Sequence, residues 1–385
     1  SYAPRVVPST QERKCESVGD VRTGTVNPKS RQPCPRESRS LRRTGGCGMT
    51  LLGVSTGVLA DRTDLTGLLA YEPEVVEFYN YPRSMLAAIE RFCARHGIRP
   101  ALHTPVPYDE PSPLRRFAPT GPDPDEAATA LRLTEATVRC AADLGALHVV
   151  VHFPSPYPPY PLAGFDSWCR DFLDAACGLA REHGVPVLVE NLSAHPLLHT
   201  AEHYRDALAG RPELGLCLDV GHAHLLGPEH GPLGYARALG PVVRSMHLYN
   251  TTSARYPEHG HEPAHAGQSA ADGYLPLAGL LPELLDLTGA PAVVLEHRPP
   301  APGDPGPEQI SRWIRALIGH RRPDRPTPDG PAARTPDSAG PRTPGGPGPR
   351  TPGGPAARTP GGPALRTPGE PARTAPTGPP RPAHT

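Results

Sequence analysis

The fold is decided by four short apolar runs that each close on a polar or ionisable residue: VLVEN (187–191), LCLDVGH (216–222), SMHLYN (245–250) and VVLEH (293–297). Read as strands, they place Glu190, Asp219, His247 and Glu296 at successive carboxyl ends. In a (β/α)8 barrel all strand ends open on one face, where active sites lie. These four side chains are therefore predicted to meet in one cup and to bind a metal ion.

Working outward, apolar runs alternate with helical patterns along the middle of the chain. Strands are predicted at 51–55, 74–79, 100–103, 147–152, 187–191, 214–219, 243–248 and 292–296, and helices most clearly at 83–96, 125–144, 165–183 and 274–287. Segments such as ARHGIRP and REHGVP carry the glycine that ends a helix before a parallel strand. Eight such units predict an α/β protein, a closed (β/α)8 TIM barrel. No GxGxxG follows the first strand, which weakens a dinucleotide-binding alternative.

Composition divides the chain into a predicted barrel and two tails. Residues 49–322 hold the alternating pattern, and about 270 residues suit one such barrel. Residues 1–48 are polar and basic and are predicted to be a disordered extension, with a transit peptide as an alternative. Residues 323–385 repeat RTPGGP-like octets from Arg334 onward, which predicts a disordered tail with polyproline-II character. A ligand for a proline-recognising partner or a weakly basic tether is the alternative for this tail.

Charge is distributed unevenly although the formal net charge is zero. Basic and acidic residues number 10 and 4 in residues 1–48, 21 and 31 in residues 49–322, and 8 and 4 in residues 323–385. The net negative charge of the predicted barrel disfavours binding to nucleic acid. A small-molecule, carbohydrate-like partner is indicated by the site residues and not by the charge. No apolar window is long enough for a membrane span and no secretory signal is evident, so a cytoplasmic location is the expectation. The oligomeric state is left open.

Eight cysteines occur without any CxxC pair. Most of those in residues 49–322 fall inside strand or helix patterns, where cysteine behaves as a small buried hydrophobe. We therefore expect them to be structural and not redox-active or metal-binding.

Further histidines follow other predicted strands: His103 in ALHTP, His152 in VVVHFP and His222 in DVGH. Several carboxylates converging without a cation would repel one another and raise their pKa values. A divalent cation removes that cost. Three carboxylates and one imidazole suit Mn²⁺, Mg²⁺ or Co²⁺, whereas adding His103 and His152 beside Glu190 suits Zn²⁺.

These motifs resemble those of the xylose isomerase-like TIM barrel superfamily, also called AP endonuclease family 2. In its sugar epimerases one metal is held by a Glu, Asp, His, Glu set, which Glu190, Asp219, His247 and Glu296 match. The resemblance implies a sugar or sugar-like polyol isomerase or epimerase, in which Glu190 and Glu296 move a proton through an enediolate. It also implies that His222 contacts a substrate oxygen.

Endonuclease IV is a second member of the same superfamily, and it adds histidines that His103, His152 and His222 match. Its later Asp-x-His motif is replaced here by PEHGHEPAHAG (257–267), where His259 and His261 are the candidate ligands. A multinuclear zinc hydrolase or phosphodiesterase, acting on a small metabolite or on abasic DNA, therefore stays open. A noncatalytic metal-dependent binding protein is the third alternative.

Substrate contacts are less sharply indicated. Ser253 stands where the epimerases carry a substrate-binding arginine, so Arg255 is the candidate replacement. Aromatic residues after the second and fourth strands, among them Tyr79 and Phe153, are candidate stacking surfaces for a carbohydrate. Glu77, at the end of the second strand, is interpreted as a solvated or structural carboxylate more readily than as part of the cup.

Overall fold

The computed structural model of the protein describes residues 49–109, 111–113, 117–160, 163–193 and 195–319. Eight parallel strands close into a barrel in sequence order, and the last strand pairs with the first through Leu51 and Ala292. The predicted (β/α)8 barrel is thus confirmed. The strands are β1 (Leu51–Ser55), β2 (Val75–Tyr79), β3 (Arg99–His103), β4 (Val149–His152), β5 (Val187–Glu190), β6 (Leu214–Asp219), β7 (Val243–Leu248) and β8 (Ala292–Leu295).

Helices follow the strands at the predicted places. The α-helices are α1 (Leu86–His96), α2 (Pro124–Leu144), α3 (Phe165–His183), α4 (Ala201–Leu208), α5 (Val220–Leu225), α6 (Pro232–Leu239), α7 (Tyr256–His259), α8 (Leu277–Thr288) and α9 (Pro307–Gly319). The predicted helix 83–96 begins as one 3₁₀ turn, Arg83–Met85, before α1. Gly97 and Gly184 end α1 and α3 in the left-handed conformation, as the HG motifs predicted.

Side-chain alternation along the strands separates two buried layers. Val187 and Val189 of β5 join the large core between the barrel and its helices. Leu188 instead packs with Val150 and Cys217 in a small separate cluster. Because strand side chains point alternately to opposite faces, Glu190 lies on the same face as Leu188, inside the barrel.

Strand register then brings the polar ends of neighbouring strands side by side. His152 pairs with Glu190 across β4 and β5, and Asp219 pairs with His247 across β6 and β7. Residues from distant parts of the sequence therefore become nearest neighbours at the carboxyl end of the barrel.

Five cysteines lie among the described residues, and all are buried and outside disulfide bonds, as small buried side chains are expected to be: Cys93, Cys140, Cys169, Cys177 and Cys217. Across the same part of the chain no helix combines the length and apolar character that crossing a membrane requires. The predictions for residues 1–48 and 323–385 lie outside the described residues. The chain divides into the units Ser1–Asp324 and Arg325–Thr385, and the described residues all belong to the first.

Candidate metal centre

Four predicted ligands converge inside the carboxyl end of the barrel. One ligand atom from each of Glu190, Asp219, His247 and Glu296 lies within 4.8 Å of every other. His247 Nδ1 is 2.9 Å from Glu296 Oε2 and 3.6 Å from Glu190 Oε2. The glutamates that end β5 and follow β8 thus approach the same ring nitrogen.

The buried atoms of this quartet lack hydrogen-bond partners among the residues that the structure describes: Glu190 Oε2, Asp219 Oδ2, His247 Nδ1 and Glu296 Oε2. A buried polar atom without a partner costs free energy, so native proteins rarely keep several together. Three carboxylates and an imidazole are ligands that divalent cations accept. The quartet therefore fits a bound divalent metal ion.

The two carboxylate oxygens of Asp219 have different roles, one toward the backbone and one toward the cup. Its Oδ1 accepts a 2.7 Å hydrogen bond from the His222 backbone N–H and so caps α5. The other oxygen, Oδ2, is one of the atoms without a hydrogen-bond partner. The DVGH motif thus uses one aspartate oxygen to start a helix and leaves the second for a ligand.

Three further ligand groups overlap the quartet, each with ligand atoms within 4.8 Å of one another. They are His103, His152 and Glu190; Asp219, His222 and His261; and Glu77, His103, His247 and Glu296. The structure thus brings together all eight residues predicted as metal ligands and adds Glu77 to them. His259 lines the cup but belongs to none of these groups.

His261 reaches the cup from the loop after β7. Its Nδ1 lies 2.9 Å from the Glu296 carbonyl oxygen, which can only accept, so Nδ1 carries the proton and Nε2 is left for a ligand. The Arg298 backbone N–H donates to the His261 carbonyl at 2.8 Å. These two contacts fasten the loop to the residues that follow β8.

Glu77 is buried and unsolvated, contrary to one of the two readings made from sequence. Its Oε1 lies 3.0 Å from His247 Nε2 and 3.3 Å from His103 Nδ1, and its Oε2 lies 3.5 Å from His148 Nε2. From the sequence, His148 had no predicted role, and Glu77 was interpreted as a solvated or structural carboxylate more readily than as part of the cup. The available signal was a carboxylate set between Val76 and Phe78 on a strand whose neighbours are apolar.

Asn191 was also missed, although VLVEN contains it. Its side-chain amide donates to the Asp219 carbonyl at 3.0 Å and accepts from the Asp219 N–H at 2.8 Å. The Asn191 carbonyl oxygen accepts from His222 Nδ1 at 3.0 Å. This one residue therefore ties the ends of β5 and β6 together and orients the His222 ring.

The pKa values of the residues in the cup depend on two effects, burial and the charges of neighbouring groups. Burial raises the pKa of Glu190, but His152 and His247 lower it overall. Burial and the Glu190 carboxylate raise the pKa of Asp219 to about 8. Burial lowers the pKa of His247, yet the carboxylates of Glu296, Glu77 and Glu190 raise it well above its usual range. Burial lowers the pKa of His152 to about 4. At neutral pH His152 is therefore a neutral potential ligand.

A cavity of about 500 Å³ opens above these groups. Four tyrosines, Tyr79, Tyr157, Tyr160 and Tyr256, contribute to its wall, together with residues of the metal groups. Tyr79 also packs on His103, with ring centroids 4.6 Å apart. The aromatic wall predicted from the sequence is thus present at Tyr79.

Two residues predicted to contact substrate are not among those that line this cavity. Phe153 is fully buried and stacks on Phe172 at 5.7 Å, because it follows β4 on the side of the helices. Arg255 forms a bidentate ion pair with Glu262, with Nη2 to Oε1 at 2.8 Å and Nε to Oε2 at 3.0 Å. Its guanidinium therefore pairs with a carboxylate of its own loop, the one that follows β7.

Comparisons with known proteins agree with this architecture. A model of the xylose isomerase-like TIM barrel family matches residues 66–317. No curated protein matches the sequence. Three solved structures illustrate the likeness of fold.

An L-ribulose 3-epimerase is 15% identical with a TM-score of 0.54, covering 70% of this chain and 94% of its own. The 3-keto-D-glucoside 4-epimerase YcjR of E. coli is 15% identical with a TM-score of 0.53, covering 69% and 99%. The IOLI protein, with a zinc atom bound, is 15% identical with a TM-score of 0.54, covering 71% and 100%.

Proposed function

Because the chain belongs to the xylose isomerase-like TIM barrel family, we propose that it is a metal-dependent isomerase or epimerase of a sugar or sugar-like polyol. The observation that carries the proposal is the convergence of Glu190, Asp219, His247 and Glu296. Their buried atoms, without hydrogen-bond partners among the described residues, lie close together beside an open cavity that Glu190 and Glu296 line.

These four residues would hold one divalent cation, Mn²⁺, Mg²⁺, Co²⁺ or Zn²⁺. When bound, such a cation acts as a Lewis acid that polarises a substrate carbonyl and offsets negative charge developing on its oxygen. The protein's own contribution is a rigid frame, because three of the four ligands are fully buried at strand ends.

Glu190 and Glu296 are the proposed acid–base pair. They come from β5 and from the residue after β8, so they approach the cup from different parts of the wall. One carboxylate removes a proton from the carbon beside the substrate carbonyl, and the other returns a proton to the adjacent position or the opposite side. His222, whose Nδ1 donates to the Asn191 carbonyl oxygen, has its Nε2 3.4 Å from the Tyr256 hydroxyl in the cavity wall, where it would meet a substrate oxygen.

A carbohydrate suits the cavity wall. Tyrosine rings offer flat apolar faces for the C–H surfaces of a sugar and hydroxyl groups for its oxygens. Two of the similar folds are named for sugar epimerisation, which agrees with a substrate of this class.

The test is incubation of the full chain with ketohexoses, ketopentoses and inositol-like polyols under each of the four metals in D₂O. The proposal expects an isomerised product that carries deuterium at the reacting carbon and vanishes with EDTA. Glu190→Gln and Glu296→Gln should each lower kcat by about 10²-fold or more, the range that a general acid or base contributes. Undiminished turnover in Glu296→Gln would reject the two-carboxylate mechanism.

A multinuclear zinc hydrolase or phosphodiesterase is the second candidate, favoured by the two additional ligand groups around Glu190 and Asp219. Metal stoichiometry separates the candidates. One metal per chain, kept in His103→Ala and His152→Ala, supports the isomerase, whereas two or three zinc ions that these variants reduce would support hydrolysis. Tight ligand binding without turnover under saturating metal would instead identify a noncatalytic binding protein.

A further inference from the structure

We propose that Glu77 is a positioning residue of the metal centre, whose buried carboxylate selects which nitrogen of His247 and of His103 faces the cup. The inference rests on the metal site of the proposed function, but not on the reaction carried out there. It concerns a residue beneath the ligands, and it explains why a charged side chain is enclosed in the barrel.

Glu77 is placed by the alternation of β2. Its neighbours Val76 and Phe78 belong to the large apolar core outside the barrel, so Glu77 points inward. Its exposed fraction is zero. An inward carboxylate with no solvent contact requires neighbouring donors, because burying an unpaired charge is very costly.

The nearest candidate donors are two imidazoles that also reach the cup, although neither completes a hydrogen bond to Glu77 in this structure. Oε1 of Glu77 lies 3.0 Å from His247 Nε2 and 3.3 Å from His103 Nδ1. The two rings lie one beside the other, with centroids 5.5 Å apart and 32° between their planes. One carboxylate oxygen therefore sits between two histidines from β3 and β7.

An ionised carboxylate accepts hydrogen and cannot donate it, so the nitrogen that faces Glu77 is the one that keeps its proton. His247 is left with Nδ1, which lies 2.9 Å from Glu296 Oε2. His103 is left with Nε2, which lies 3.3 Å from Glu190 Oε2. In His247 the remaining nitrogen is the one directed at the carboxylates of the cup, as a metal ligand must be. In His103 it is the nearer of the two, since Nδ1 lies 3.9 Å from Glu296 Oε1.

His148 supports the carboxylate from its other oxygen. Its Nε2 lies 3.5 Å from Glu77 Oε2, and the ring is 2% exposed. Unlike His103 and His247, it belongs to none of the ligand groups among the described residues. It therefore bears on the orientation of Glu77 without touching the cup.

The experiment is a Co²⁺ titration of the metal-free full chain, followed by visible absorption, in the wild type and in Glu77→Gln. Glutamine keeps the size of the side chain but removes its charge and one of its two acceptors. We expect the affinity to fall 10- to 100-fold, the usual effect of losing such a partner of a ligating histidine. The Co²⁺ absorption bands should also shift, because His247 loses its fixed orientation.

Ser245→Ala is the matched control. Ser245 is fully buried, lies two residues before His247 on the same face of β7, and has a side-chain oxygen without a hydrogen-bond partner among the described residues. Removing it disturbs the barrel interior without altering the contacts of Glu77, so its affinity should stay within threefold of the wild type.

Equal Co²⁺ affinity and spectra in the wild type and Glu77→Gln would overturn the inference. So would the loss of one whole metal equivalent in the variant, since Glu77 would then be a ligand itself. Should Glu77→Gln not fold, ¹⁵N-histidine NMR of the zinc-loaded wild type decides: protonated Nε2 with metal on Nδ1 of His247 supports the inference, and the reverse refutes it. Because no readout uses sugar turnover, an absent isomerase activity would refute the proposed function alone.

Discussion

The ring of Tyr249 lies flat against the imidazole of His261, with centroids 3.7 Å apart and 5° between their planes. Tyr249 is fully buried, and it fits beside α5 only because residue 221 is glycine. A Cβ at Gly221 would lie 2.2 Å from two carbons of the Tyr249 ring. The glycine of DVGH thus makes room for the surface on which a candidate metal ligand rests.

Gly221→Ala should therefore displace Tyr249 and, with it, His261. Overpacking of this kind costs about 1–3 kcal/mol of stability. We expect a lower Tm together with weaker binding at the group formed by Asp219, His222 and His261, measured by thermal unfolding and zinc titration.

The control for this substitution is Gly178→Ala in α3. A Cβ at Gly178 meets nothing within 4 Å, so alanine should be neutral or stabilise by roughly 0.5–1 kcal/mol. Equal Tm and zinc binding in Gly221→Ala and the wild type would show that the Tyr249–His261 stack has no part in metal binding.

Stability of the metal-free protein should fall as the pH rises from 6.5 to 8. Asp219, with a folded pKa raised to about 8, and His247, with a pKa raised well above its usual range, both hold protons in the folded state that the unfolded chain has released. Stability from such groups is fully present below the unfolded pKa and is lost as pH rises through the folded pKa. The loss is on the order of 1–2 kcal/mol over this window for Asp219 alone.

Below pH 6.5 different groups change the stability in opposite directions as the pH rises. Burial lowers the pKa values of His152 and His297 to about 4, so their contribution to stability rises with pH. The measurement is thermal or urea unfolding in EDTA at pH 6.5 and 8. Asp219→Asn should reduce the slope, and added metal should reverse it since the cation competes with protons. A stability that rises over this window in EDTA would contradict the assigned protonation.

Arg255→Ala should lower stability and leave substrate affinity nearly unchanged. Within the part of the chain that the structure describes, the substitution leaves the largely buried Glu262 carboxylate with the Tyr274 hydroxyl, at 3.4 Å, as its one hydrogen-bond partner. An unsatisfied buried charged group costs about 1–3 kcal/mol. Arg237→Ala is the control, because its pair with Glu283 is exposed on both sides and is worth under about 1 kcal/mol. A raised KM with an unchanged Tm would contradict this prediction and would indicate that Arg255 contacts the substrate.

Removal of residues 1–48 and 323–385 should leave metal affinity and Tm unchanged. Every strand of the barrel and the closing pair of β1 with β8 lie between Leu51 and Leu295, and α9 ends at Gly319. Differential scanning calorimetry with metal titration of the shortened chain checks this. A clear drop in either quantity would mean that a tail contributes to the folded barrel.

The sequence was sufficient to predict the barrel and the convergence of four candidate ligands. Apolar runs of strand length, separated by helices with glycine stops, specify eight parallel strands, and strand polarity places Glu190, Asp219 and His247 at the same end. These features depend on local periodicity and on a general rule of topology. They can be read without knowing any particular contact.

Only the tertiary structure decided the remainder. The partners of Glu77 come from β3, β7 and the residue before β4, and no local pattern shows which side chains meet inside a closed barrel. The loop after β7 brings His261 into the cup while Arg255 turns back to Glu262, although the two are six residues apart. Periodicity fixes the face and level of a strand residue, whereas the path of a loop and the reach of its side chains depend on the packing of the whole molecule.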